Sequence, residues 1–489
     1  MRGVFSFSYD ALDDVAALVF RRMGLMPGQD ASPRTVAAAT DLRLGTSRRA
    51  LDTLARAHLI EIVGPDRYRL HDLLRSYAIE QAHNTDSPAE RTHAFERLCA
   101  HRLELAADAI RQTGPVKADA GASPSSFNDR QAALAWLERE RENLVQTAER
   151  AAEDGSTNAA TKFAALLWRY LDVHSLCDDA YRVHMAALQT AEATSDRHAE
   201  ADVYRGLGLV AFRREQFSEA ERWLCDALAL HETLNDREAV ALDRTYLGAV
   251  CAELARTGDA ITHFESAVNA YDHDAHAALV RPLNSLGLLH RYLGHDETAR
   301  QWLERCLELE AQLDDPVGFA FTRMHLIWVL GSLGEYDAAL TYGKHALERM
   351  RANGMRVLEG EVLTAIGTVH RQCGQIDQAM DFHWQSQTIY TELNDDTGLA
   401  SAHNGLGETV LASGDADLAR DHFNAAVALA DNTWHERGRA LTGLGNTASL
   451  AGDDEAAVDS WQRALAIYEQ VGHCGADQLR IRVAEARPG

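Results

Sequence analysis

Six side chains in the second half of this chain have the chemistry to hold an extended peptide, and they recur at related positions. They are Asn284, Arg291, Tyr292, Trp328, Arg371 and Asn404. An Asn amide offers a donor and an acceptor together, which suits the backbone of a peptide. An Arg fork grips a carboxylate through two parallel hydrogen bonds, and Trp and Tyr are flat anchors of the kind that dominate binding surfaces. Arg205 and Arg213 stand at the same register nearer the N-terminus. Each of the eight lies three before, one after, four after or five after a recurring position, usually a glycine. The opposing reading of any one of them is a bond between neighbouring helices, with no ligand involved.

The elements that must bring these residues together are helices in pairs. Gly208, Gly248, Gly287, Gly367, Gly407 and Gly445 each follow Leu or Ile, at steps of 40, 39, 80, 40 and 38, and Ile327 fills the missing rung. Twelve residues after each rung comes Ala: Ala220, Ala260, Ala299, Ala339, Ala379, Ala419 and Ala457. Between rung and Ala lies a turn at Gly258, Gly294, Gly334, Gly374, Gly414 or Gly452, with Gln216-Phe217-Ser218 in the first unit. Gly inside a helix costs roughly 0.5–1 kcal/mol relative to Ala, so a register that keeps it serves close approach of a second helix. The expectation is that rung and Ala meet, while larger residues (Leu224, Phe264, Leu303, Phe423, Trp461) fill the remaining space. Ile327 should push its helices apart; Gly343, where other units carry a large residue, either returns that space or marks a point of flexing.

This pattern resembles the tetratricopeptide repeat, in an extended form with a period near 40 instead of about 34. Trp168 and Ala180 make a degenerate first unit, so about eight repeats are expected over residues 161–475, with a capping helix and tail over 476–489. The resemblance implies an α-α superhelical solenoid in which the first helix of each unit lines a concave face. The eight side chains named above then point inward and form a groove for a peptide or protein partner.

Composition sets limits on function. The net charge is −25 in 489 residues, while residues 1–82 hold 11 Arg against 10 Asp and Glu. An acidic array is poorly suited to nucleic acid, where affinity rests on neutralising phosphates. The excess acid serves either solubility or docking of a basic partner. The seven cysteines form no CxxC pair, which fits reduced thiols in a cytoplasm. No membrane-spanning run or signal peptide is evident in the sequence. There is no HExxH, GxSxG or GxxxxGK[ST], and His273-Asp274 with His276 fits no metal spacing. The expectation is a non-enzymatic protein with no cofactor and no metal; its oligomeric state is left open.

Residues 1–82 read differently from the rest. Helices are expected over 11–22, 33–40 and 48–58, then a hairpin of 59–63 and 67–70 around Gly64-Pro65-Asp66, then a helix over 71–81. That order is a winged helix-turn-helix. Arg48, Arg49 and Arg56 lie on the third helix, which would enter a major groove, and Arg67 and Arg69 lie on the hairpin. These are the possible DNA contacts, although the charge balance argues against DNA as a partner. Residues 83–160 read as a helical connector, with helices over 88–111 and 129–154 and a loop over 114–126.

Phe5-Ser6-Phe7-Ser8-Tyr9-Asp10-Ala11-Leu12, Leu70-His71-Asp72-Leu73-Leu74-Arg75 and Trp136-Leu137-Glu138-Arg139-Glu140 form a familiar series. It resembles the winged helix and connector of actinobacterial signal-transduction ATPases, nearest the Streptomyces antibiotic regulatory protein family. That resemblance implies a relay role for the winged helix and a place in transcriptional regulation. It also makes His71 and Asp72 a remnant of the family's nucleotide sensor, against the simpler reading that they cap a helix and pin the hairpin. Three outcomes are compatible with the sequence: a regulatory scaffold, a DNA-binding regulator with a sensing array, or the C-terminal part of an ATP- or ADP-binding regulator.

Overall fold

In the computed structural model, residues 2–113, 125–155, 158–271, 276–310, 313, 318–352, 354–430 and 433–486 are described. The expected loop at 114–126 lies mostly outside them, as do His273, Asp274, the His276 side chain and the final three residues. The chain packs as two compact units, Met1–Leu234 and Asn235–Gly489.

The first unit opens with α1 (Arg2–Asp10), α2 (Asp14–Leu25), α3 (Pro33–Thr40) and α4 (Leu44–Arg56), then β1 (Glu61–Gly64), β2 (Arg67–Arg69) and α5 (Asp72–Thr85). Ser32 caps α3 as its sequence dictates, accepting from the Thr35 amide at 3.1 Å with Pro33 in the first turn. The first expected helix is displaced: Asp13 caps α2 by accepting from Ala16 N at 2.7 Å, and Val15, expected inward, is exposed. The short sheet pairs Glu61 with Arg69 and Ile62 with Tyr68, and Ala31 bridges to Tyr68 on the other side. Next come α6 (Pro88–Thr113) and α7 (Arg130–Asp154), then two hairpins, α8 (Ala159–Val173) with α9 (Cys177–Thr194) and α10 (Arg197–Arg213) with α11 (Phe217–Leu234). One cluster of buried residues runs from Ala16 through Leu98, Leu137 and Phe163 to Val210, without a break at residues 82 or 160.

Among the described residues the second unit forms six hairpins and a final helix. These are α12 (Arg237–Glu253) with α13 (Thr257–Ala270), α14 (His276–Tyr292) with α15 (Asp296–Glu310), and α16 (Gly318–Ser332) with α17 (Tyr336–Ala352). They continue as α18 (Arg356–Gln372) with α19 (Ile376–Leu393), α20 (Asp396–Ser413) with α21 (Ala416–Leu429), α22 (Trp434–Leu450) with α23 (Asp454–Val471), and α24 (Gly475–Glu485).

The glycine ladder is a packing device whose nearest neighbour is generally a larger side chain, though at Gly208 a Cβ would also lie 3.3 Å from the Ala220 carbonyl. A Cβ built on Gly248 would lie 2.8 Å from Phe264, on Gly287 2.5 Å from Leu303, and on Gly407 2.8 Å from Phe423. In each case the residue it meets is sixteen positions later, and the Ala twelve later is buried beside it. At the exceptional rung the two roles are exchanged. Ile327 is fully buried, and a Cβ on Gly343 would lie 2.6 Å from Ile366 and 3.6 Å from Ile327. The space that a large residue at 343 would need is thus filled chiefly by Ile366, with Ile327 in ordinary contact beside it. The turn register also corrects the expectation: left-handed residues fall seven after each rung, at Glu215, Ala255, Gly294, Gly334, Gly374, Gly414 and Gly452. Gly258 is inside α13 instead, and Gln216 to Ser218 follow their turn.

Candidate functional site

Helices α14, α16, α18, α20 and α22 of the second unit face a common cavity of about 480 Å³, within the ~300–1,000 Å³ range of small-ligand sites. Arg291 and Tyr292 reach it from α14, His325 and Trp328 from α16, and Glu361 and Arg371 from α18. Glu408 comes from α20, and His435, Glu436 and Arg439 come from α22. The array closes on itself around this space. Thr257 Oγ1 donates to Val471 O at 3.0 Å, and Cys474 N donates to Tyr292 O at 3.0 Å. The Tyr292 ring lies 5.3 Å from Trp434 and 6.0 Å from His473, centre to centre.

Charge is distributed unevenly over the cavity wall. Glu408 is gripped by two guanidinium groups, Arg439 Nε at 2.6 Å and Arg371 Nη2 at 3.0 Å. Burial works against its ionisation, but Arg439 and Arg371 hold its pKa down to about 2. Glu436 accepts from Asn404 Nδ2 at 2.6 Å and lies 3.6 Å from Arg439. Arg291 is different: it sits 4.8 Å from the Tyr292 ring centre and 5.7 Å from that of Trp328, a cation–π arrangement. Its Nε is buried with no hydrogen-bond partner. Burial, with Arg291 second, drives His325 down to about 3, and burial, Arg291 and His435 drive His473 down to about 4. These imidazoles are neutral at physiological pH. Across the cavity Glu361 has an unpartnered buried Oε2, and burial beside Asp395 raises its carboxyl to about 7.

Of the eight side chains expected to form the groove, Arg291, Tyr292, Trp328 and Arg371 line this cavity. Asn404 is fully buried, and its Nδ2 donates between repeats to Glu436 O at 2.9 Å and to the Glu436 carboxylate, while its Oδ1 has no partner. Asn284 is partly buried beside the cavity, its Oδ1 without a partner. Arg205 and Arg213 belong to the first unit. Arg205 bonds Asp202 at 2.9 Å and His231 at 3.2 Å, and Arg213 clamps Asp172 at 2.6 and 3.0 Å. For Asn404, Arg205 and Arg213 the bond between neighbouring elements is thus the one observed. The residues that sequence spacing missed include Glu361 and Arg439, both six before a rung. One helical turn ahead of the chosen register, they share its face, and that offset is the signal that could have found them.

In the first unit, the N-terminus of α5 borders a separate cleft lined by Arg69, His71, Asp72, Arg75 and Gln146. His71 is the N-cap residue but makes no side-chain cap bond, and Asp72 sits in the first turn. Arg48 pairs with Asp66 at 2.7 Å. Arg49 donates to Thr46 at 3.3 Å, and Arg56 donates to Asp52 O and Thr53, both at 3.3 Å. Arg67 is not a surface cation of the hairpin: it is buried and bonds both Asp30 and Glu140. Among the described residues no cluster of His, Cys, Asp and Glu could hold a metal ion, and no helix is long and apolar enough to cross a membrane.

The comparisons with known proteins agree with this architecture. Tetratricopeptide repeat family models match residues 280–313, 358–432 and 398–470. Regulatory protein AfsR of Streptomyces griseus is 26% identical over 440 residues, covering 88% of this chain and 44% of the relative. The chain therefore spans less than half the length of that protein. A solved signal-transduction ATPase with numerous domains from Pyrococcus horikoshii, with a tetratricopeptide repeat sensor, superposes at a TM-score of 0.62 and 15% identity. That match covers 98% of this chain and 67% of the other. A Rap protein complexed with Competence and Sporulation Factor superposes at 0.50 and 16% identity, covering 80% and 99%. At such identities the structural likeness is one of fold. The chain carries tetratricopeptide repeats and has AfsR regulatory proteins among its homologues.

Proposed function

We propose that this is a non-enzymatic regulatory protein whose second unit binds a peptide or protein partner in the cavity of its inner wall. The observation that carries the reading is Arg291, a guanidinium framed by two aromatic rings and without a carboxylate partner among the described residues. Arg291 is half-buried, and an incoming carboxylate would meet its guanidinium through charge-assisted hydrogen bonds. The Rap protein match adds support, since that solved relative holds Competence and Sporulation Factor.

The N-terminal helices and hairpin act in this reading as a winged helix that relays the state of the array, in transcriptional regulation in the cytoplasm. Its coupling to the connector supports a relay more than DNA contact. Arg67 ties β2 to α7 through Glu140, and Arg102 on α6 reaches Pro27 O and Asn143 O, each at 3.1 Å. Affinity capture from cell extract tests the partner site. A peptide or protein retained by the full chain should be lost on Trp328→Ala and weakened on Arg371→Ala. A partner held equally by all three chains would count against the cavity.

A further inference from the structure

Two ionisable side chains on the wall of this cavity, one basic and one acidic, have no ion-pair partner among the described residues. Arg371 and Arg439 share Glu408, and Arg439 also meets Glu436. Arg291 forms no ion pair among the described residues, and neither does Glu361, whose carboxyl is raised by burial and by the like charge of Asp395. Asp395 has one oxygen committed to the Gly398 amide at 3.0 Å and no ion pair among the described residues. The cavity thus has a cationic seat walled by Tyr292, Trp328 and neutral histidines, and an acidic seat bounded by Glu361, Asp395 and Tyr390.

We propose that the cavity takes a short dipolar ligand, its carboxylate on Arg291 and its ammonium on Glu361 and Asp395. A short peptide with both ends free has that chemistry. The inference rests on the cavity being the ligand site and adds which ends of the ligand are read.

The register sets the length. Arg291 stands four after its rung and Glu361 six before its own. On helices running in the same direction this is about 15 Å along the axis at ~1.5 Å per residue. The two helices also stand two repeats apart, so an extended peptide needs at least four to five residues, at ~3.3–3.6 Å each, to reach from one seat to the other. Trp328, on the helix between the two seats, supplies an apolar floor for the ligand's middle.

The experiment measures binding of four pools of random-sequence pentapeptides to the full chain by native mass spectrometry. The pools have free ends, an acetylated N-terminus, an amidated C-terminus, or both ends blocked. The free-ended pool should bind, and blocking either end should weaken binding about tenfold or more, the scale of one charge-assisted contact. Arg291→Gln should abolish discrimination at the carboxyl end alone, and Glu361→Gln at the amino end alone. Arg291→Lys keeps the charge and should keep the preference, which separates loss of a contact from loss of the fold. Doubly blocked peptides binding as tightly as free ones would overturn the assignment of the ends while leaving the cavity a peptide site. Failure of every pool to bind the unaltered chain would overturn both.

Discussion

Gly287 and Leu303 show at the scale of single residues what the ladder does. A Cβ at 287 would lie 2.5 Å from the Leu303 side chain, so Gly287→Ile should cost about 1–3 kcal/mol by overpacking. Leu303→Gly alone should also destabilise, by roughly 2–5 kcal/mol, through the cavity it opens. Together they recreate the arrangement of Ile327 with Gly343, so the double variant should be more stable than the two single costs predict. A double-mutant cycle by urea denaturation measures that coupling, and strict additivity would show the two positions do not share one space. The turn register makes a second prediction. Ala255 and Glu215 hold φ of 59° and 58°, where a Cβ costs roughly 1–2 kcal/mol. Ala255→Gly and Glu215→Gly should each raise the thermal midpoint, net of the entropy that glycine adds to the unfolded chain. The turn offset was legible in the sequence at five of these seven sites because glycine occupies them. At 215 and 255 it was hidden, since the backbone adopts the same conformation with an ordinary side chain.

At the scale of elements, the hairpins were legible and their coupling was not. Caps such as Ser32-Pro33 and Asp129 fix helix starts locally, whereas the bond from Arg67 to Glu140 joins residues 73 positions apart. No periodicity encodes such a pairing. It matters because buried charges are costly when left alone: Glu140→Gln or Arg67→Met should destabilise the first unit by about 3–5 kcal/mol. Replacing both with Met should cost less than the sum of the two single changes, since their mutual pairing is lost only once, although Asp30 still loses its cation. Chemical denaturation followed by far-ultraviolet circular dichroism reads all three variants. The same limit explains the fate of Asn404. Its spacing places it on an inner helix, but spacing cannot reveal that Glu436 already takes its amide.

At the scale of the whole molecule, the second unit holds histidines whose surroundings disfavour their charged form. Burial, reinforced by nearby Arg residues, pushes His325 and His383 down to about 3 and His473 to about 4. The unfolded chain, with its histidines near 6.5, binds more protons than the folded one below that pH. Stability is therefore present above about pH 6.5 and lost as pH falls towards 4. Glu361 works the other way: its raised carboxyl, about 7, contributes stability at low pH that is lost as pH rises through 7. Three histidines outweigh one carboxyl, so the unit should melt at a lower temperature at pH 5 than at pH 7.5, with a shallower dependence in His383→Gln. Closure of the array, from Thr257 to Val471 and from Tyr292 to Cys474, was beyond reach of the sequence, because it depends on the summed curvature of six hairpins. That closure makes an inner wall into a cavity.

Hydrogen exchange of the full chain with and without the free-ended pentapeptide pool tests this directly. Slowed exchange should appear in α14, α16, α18, α20 and α22, the helices that face the cavity. Protection confined to α15, α17, α19 and α21, or to residues 2–234, would contradict the assignment of the inner wall as the binding site.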